Sequence, residues 1–188
     1  MGGLAGFAAF SLVACSDEKT AAQVFSSNAE CQSQAREMNS WWSPEDCTAA
    51  FAKAEASHRE GAPRYDDKAV CEDQHGGEMC EADAAAVPAG GGSGIFMPLL
   101  AGYLIANMMG KSGAPASSPL YPAATGGYKT ADGKTAVPVL KGATSVGSSA
   151  FRPTPPTIGK APMTKASIAE RGGFGASRTT SGGARAGG

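Results

Sequence analysis

The apolar run over residues 94–110 divides this chain and limits what it can fold into. It contains Phe96, Leu99, Leu100, Tyr103, Leu104, Ile105 and Met108, with little that is polar between them. About 16 residues of continuous apolar character give ~24 Å as an α-helix, short of the about 20 residues that a membrane span needs. Pro98 stands where the first turn of a helix tolerates proline. Gly102, Ala106 and Gly110 recur at every fourth position and would share one helix face, with Leu100, Leu104 and Met108 opposite. Small residues at that spacing let two helix backbones approach closely. The expectation is an apolar, Gly-rich helix over 94–110 that self-associates through Gly102, Ala106 and Gly110. Interfacial membrane insertion and docking on the acidic half as ordinary core are the competing uses.

The two sides of this run differ in charge. Residues 17–87 hold 6 Lys/Arg against 15 Asp/Glu, a net of -9. Residues 88–188 hold 10 against 2, a net of +8, so the overall -1 conceals two opposed halves. Such asymmetry points to a basic arm attached to an acidic body. Of the 26 Gly and 12 Pro, 20 and 10 follow residue 87, without a collagen period. That composition predicts a basic, largely disordered Gly/Pro/Ser-rich tail over 111–188 and a flexible linker over 88–93. The part expected to fold is an acidic, cysteine-containing helical domain over 20–87. A core of that size alone is marginal and calls for covalent staples.

At the N-terminus, residues 1–15 read as a lipoprotein signal peptide. Leu4 to Ala14 form an apolar run of h-region length that ends in Leu12-Val13-Ala14-Cys15, the pattern of a bacterial lipobox. In that motif the thiol of the cysteine takes the diacylglycerol. Each buried acyl methylene contributes ~0.8 kcal/mol, so two or three chains anchor a protein firmly. The first basic residue is Lys19, after the cysteine, so a positively charged n-region is missing and the true start is expected upstream. Ser16 follows the cysteine; in bacterial lipoproteins Asp there favours the inner membrane, so the expectation is an outer-membrane anchor facing the periplasm.

Four further cysteines, Cys31, Cys47, Cys71 and Cys80, form an even set in an exported segment and predict two disulfides. Three pairings are open to four cysteines and the sequence does not choose; the preference is Cys31–Cys47 with Cys71–Cys80. Convergence of Cys47, Cys71, His75 and Cys80 on a metal is the rival reading. It lacks the C-x2-C pairs of structural zinc sites, and no metal or cofactor is expected.

Helix signals surround these cysteines. Ser27-Asn28-Ala29-Glu30 is a cap-and-acid spacing. Ser43-Pro44-Glu45-Asp46 offers an N-cap, a first-turn proline and first-turn acids, and Cys47, Phe51, Ala54 and His58 follow at helical spacing to about residue 60. Asp66 or Asp67 could start a third helix that Gly76-Gly77 stops. His58 and His75 are the only histidines, and both read as helix residues. Trp41-Trp42 reads as packing on a small core more readily than as a ligand platform. No nucleophile–base motif, P-loop or C-x-x-C is present, so no enzymatic activity is expected.

In the tail, the alternation from Tyr128 to Val137 around Asp132-Gly133 permits a small hairpin. Arg171-Gly172-Gly173-Phe174-Gly175 is similar to an RGG nucleic-acid box. In an exported protein an anionic envelope polymer or lipid is the better partner, and no nucleic acid is expected.

The order of parts resembles the YgiB family of uncharacterised bacterial envelope proteins. The likeness rests on Cys15, the Ser-Asn-Ala-Glu-Cys31 and Glu-Asp-Cys47-Thr-Ala-Ala-Phe51 segments, Ala62-Pro63-Arg64-Tyr65 before Cys71 and Cys80, Phe96 through Tyr103, and the Arg-Gly-Gly-Phe-Gly175 string. It implies a compartment and an architecture but no active site. The resulting expectation is a mainly α fold: a disulfide-stapled helical domain, one apolar helix and a disordered tail. Its role would be that of a lipid-anchored envelope protein, structural or interacting rather than enzymatic. It would be held to the membrane by acylated Cys15, with self-association or an envelope protein as partner. The alternative is a periplasmic adaptor module that regulates an envelope enzyme or export complex.

Overall fold

A computed structural model describes residues 17–37, 40–84, 94–110 and 113–171. Its centre is not a helical bundle but a six-stranded antiparallel, near-barrel sheet. The expected mainly α class is thereby corrected to a mostly β fold with helices on one side. The strands are β1 (Lys19–Phe25), β2 (Cys80–Ala82), β3 (Phe96–Pro98), β4 (Gly102–Met109), β5 (Pro115–Pro122), β6 (Tyr128–Lys129), β7 (Ala136–Val137) and β8 (Gly142–Gly147). The main sheet runs in the order β7-β6-β5-β4-β1-β8, and β2 pairs with β3 in a separate ribbon.

The apolar run is therefore not a helix. It supplies β3 and the central strand β4, whose residues Gly102 to Ala106 are all buried. Such a run is buried on both sides, so it lacks alternation and cannot be told from a helix by period. The fourfold recurrence of small residues is equally uninformative, because positions i and i+4 share a face in strands as well as helices. No helix-pairing face exists at Gly102, Ala106 and Gly110: the first two lie inside the sheet and Gly110 follows its end. Among the described residues no helix is long and apolar enough to cross a membrane.

The tail reading is corrected too. Residues 113–171 carry β5 to β8, a 3-10 turn (Ser148–Phe151) and the last helix, α4 (Lys165–Arg171). β5, with sequence PASSPLYP, is almost wholly buried. It accepts Pro115 and Pro119 because β6 pairs with it only at Tyr121 and Pro122, leaving those two where β5 is bonded on one side, to β4. A missing N–H is tolerated at such an edge. The Tyr128–Val137 hairpin is present, with Tyr128 opposite Val137 and Asp132-Gly133 in the turn.

Three helices form where their caps indicate. α1 (Asn28–Ala35) is capped by Ser27, and α2 (Pro44–Gly61) by a reciprocal box between Ser43 and Asp46. α3 (Lys68–His75) is capped by Asp67 and ends at Gly76, whose φ of 101° suits glycine. α1 and α2 lie on one sheet face, where Phe25, Tyr103 and Ile105 meet Cys31, Cys47, Ala50 and Ala54. On the other face Ala22, Val24, Leu104, Leu120, Val137 and Val146 form a second core with Ala150 of the 3-10 turn. β1 and β8 from opposite ends of the chain are neighbours, so the acidic and basic halves share one sheet. Residues 1–15 and the linker 88–93 lie outside the described residues, as do Gly172 to Gly175.

Candidate functional site

The densest polar chemistry lies where α2 ends. Pro63 cannot prolong the helix, and Arg64 turns its guanidinium back beneath the last turn. Its Nη2 donates to the Arg59 carbonyl at 2.7 Å, and Nη1 to those of Glu60 and Ala62 at 3.4 and 3.3 Å. These carbonyls include ones that a helix C-terminus leaves without intrahelical donors. Arg64 Nε donates to Asp83 Oδ2 at 2.6 Å, and both side chains are buried. Thr157 closes the group: its N–H reaches the Glu60 carbonyl at 2.8 Å, its hydroxyl the Ala62 carbonyl at 2.6 Å, and it accepts from Arg64 Nη1.

Beside this pair, Tyr65 and His75 are buried together. His75 Nδ1 lies 2.7 Å from the Pro122 carbonyl and its Nε2 lies 2.8 Å from the Tyr65 hydroxyl. A carbonyl can only accept, so Nδ1 carries the proton and Nε2 accepts from Tyr65 in the neutral ring. Burial pushes His75 down to about 4, against a smaller upward pull from the Pro122 bond. His58 Nδ1 meets the Tyr121 hydroxyl at 3.2 Å. Burial first, then the charges of Arg64 and Arg59, lower its pKa. Burial raises the hydroxyls of Tyr65 and Tyr121. Such a cluster ties α2, α3, β5 and the 157 loop together. Proton exchange between His75 and solvent would require the cluster to open.

The predicted site residues are distributed as follows. Cys31 bonds Cys47 across α1 and α2, and Cys71 bonds Cys80 across α3 and β2. The second bridge consumes two thiolates that the metal reading would need. Among the described residues no group of three or more His, Cys, Asp or Glu is placed to hold a metal. Cys15 lies outside the described residues. Sequence reasoning missed the Arg64–Asp83 pair and the Tyr–His contacts, because their partners are 10 to 63 residues apart.

A second feature is apolar and exposed. Trp41 (69% exposed), Met108 (42%) and Met109 (65%) border one shallow concavity with Trp42, Asn107 and Pro115. It lies at the end of the sheet where β4 finishes and β5 begins. Ala22 opposes Ala106 in the β1–β4 register, so the first residues of β1 are at this same end. There Lys19 also opposes Gly147 of β8. Asp17 is fixed beyond them: its carboxylate accepts from the Ser149 N–H and the Ser148 hydroxyl, both at 3.1 Å, and from the Ser149 hydroxyl. These bonds, with that of Ser149 foremost, lower the Asp17 pKa.

A family model described as "Protein of unknown function (DUF1190)" matches residues 19–184. A UPF0441 protein of Pectobacterium carotovorum is 31% identical over 186 residues, covering 92% of this chain and 77% of that protein. A UPF0441 protein of Erwinia tasmaniensis is 31% identical over 188 residues, covering 93% and 78%. One from Serratia proteamaculans is 28% identical over 187 residues, covering 93% and 79%. No solved structure gives a significant match. With the match spanning both disulfides, the whole main sheet and the buried Arg64–Asp83 cluster, the chain belongs to this family of unknown function, the YgiB family of uncharacterised proteins.

Proposed function

We propose that this protein is a lipid-anchored component of the bacterial envelope, attached through acylated Cys15 and displaying a non-enzymatic, disulfide-stapled β domain to the periplasm. The observation that carries the reading is the nearness of the lipobox to the fold. Asp17, two residues after Cys15, is already hydrogen-bonded to Ser148 and Ser149. An acyl group on Cys15 would therefore be joined to the folded body by no more than about 7 Å of chain. The two disulfides suit an oxidising compartment. The engagement of the histidines and the four bonded cysteines in internal contacts supports a structural or interacting role over a catalytic one.

Membrane fractionation tests this reading. The wild-type protein should stay in the membrane pellet through a carbonate wash, and Cys15→Ser should move to the soluble fraction. Retention of the variant in the washed pellet would refute acylation as the anchor.

A further inference from the structure

From the position of Trp41, Met108 and Met109 we propose a second membrane contact: this end of the sheet lies in the lipid headgroup layer, seating the domain on the bilayer. The inference rests on anchoring at Cys15 and adds an orientation to it. The antiparallel β1–β4 register brings the start of β1 and the finish of β4 to one end of the sheet. β8 also finishes there, and the turn after it holds Asp17. A peptide extends at most about 3.6 Å per residue, so an acylated Cys15 would hold Asp17 within about 7 Å of the headgroups.

The end of the sheet to which that reach applies also exposes large apolar side chains. Trp41, Met108 and Met109 account for three of the six large hydrophobic residues exposed among the described residues. Tryptophan favours the membrane–water boundary, where its ring can be half apolar and half wet. Methionine is flexible enough to enter disordered acyl chains. Charged residues at this end are of both signs: Asp17, Glu18 and Asp46 against Lys19, Lys53 and Arg152. The contact is therefore apolar in origin, not a response to net charge. Chain reach commits the surface to the bilayer to which Cys15 would be attached.

The test uses the full-length protein purified from bacterial membranes and reconstituted into phosphatidylethanolamine/phosphatidylglycerol vesicles, with and without brominated acyl chains. Intact mass reports acylation, and tryptophan emission reports docking. The expected result is acylated protein whose emission is blue-shifted in plain vesicles and quenched by brominated lipid. The quenching should be clearly reduced in Trp41→Phe, the remainder coming from Trp42, which borders the same concavity but is packed edge-on against Phe25. Met109→Ser, at an exposed position, should fold normally and reduce both blue shift and quenching. Acylated, vesicle-bound protein with unshifted, unquenched emission would overturn the docking proposal and leave the anchor standing. Protein without an acyl group would overturn the anchor and the docking proposal with it. Quenching that persists unchanged in Trp41→Phe would overturn the assignment of this surface.

Discussion

Gly102 and Phe25 lie so close that a β-carbon on Gly102 would sit 2.5 Å from the Phe25 carbonyl oxygen. Leu140 and Ser26 crowd the same position at 3.0 and 3.3 Å. Glycine is required there because strand β4 passes under the β1–α1 corner, and a backbone atom cannot yield as a side-chain tip can. Gly102→Ala should cost about 3 kcal/mol, the upper part of the range for overpacking. At Gly110 the nearest atom is the flexible Lys53 Nζ at 2.9 Å and the nearest backbone atom, the Ala114 carbonyl oxygen, stands back at 3.1 Å, so Gly110→Ala should cost less, about 1 kcal/mol under the same principle. Urea unfolding of the two variants checks the contrast. Equal costs would argue against the strand placement.

The two disulfides make separable contributions. Cys31–Cys47 spans a sequence separation of 16 and Cys71–Cys80 one of 9. Loops of these sizes restrict the unfolded chain enough to stabilise the fold by about 3 kcal/mol each. All four cysteines are buried, so the Cys31→Ala/Cys47→Ala double variant should lose somewhat more than Cys71→Ala/Cys80→Ala through its longer loop. Chemical unfolding under oxidising conditions measures each loss.

Breaking the buried ion pair from one side should be costlier than removing it. Asp83→Ala leaves the Arg64 charge interior and should destabilise by about 3–5 kcal/mol. Arg64→Met combined with Asp83→Leu should recover part of that loss, though the α2 carbonyls that Arg64 caps would still lack its donors. Denaturation midpoints of the single and double variants decide this.

His75 should make the fold acid-sensitive above the carboxylate range. Its folded value of about 4 lies below the ordinary 6.5, so the unfolded chain binds the proton more tightly. This part of stability is complete above pH 6.5, declines as pH falls and levels off near 4. The difference is worth about 3 kcal/mol. His58, also lowered, acts in the same direction. Thermal unfolding of the wild type should fall between pH 7 and 4.5. His75→Gln should be less stable at pH 7 but show a flatter profile. Equal slopes would remove His75 from the account.

The helices were legible because their signals are local. Ser43, Pro44 and Asp46 mark the start of α2 within four residues, and Asp67 and Gly76 bracket α3. The sheet was not legible, because its pairing is remote: Lys19 meets Gly147 and Val24 meets both Leu104 and Gly142. β4 hides its identity behind a run buried on both sides, and β5 behind three prolines, two of which lie along its half-open edge. β8, GATSVG, is a Gly- and Ser-containing edge strand of low hydrophobicity, and composition alone marks it as tail. Within the candidate site, Arg64 and Tyr65 stand out in the sequence only as part of the Ala62-Pro63-Arg64-Tyr65 string. Nothing local announces that Asp83, Tyr121 and Thr157 converge on their neighbourhood.

The claim on which the functional reading depends is the acylation of Cys15, and the intact mass of the mature protein extracted from bacterial membranes tests it most directly. The account predicts a chain whose first residue is Cys15 carrying a diacylglycerol, with both disulfides formed. A chain that retains residues 1–14, or that carries Cys15 without lipid, would contradict it.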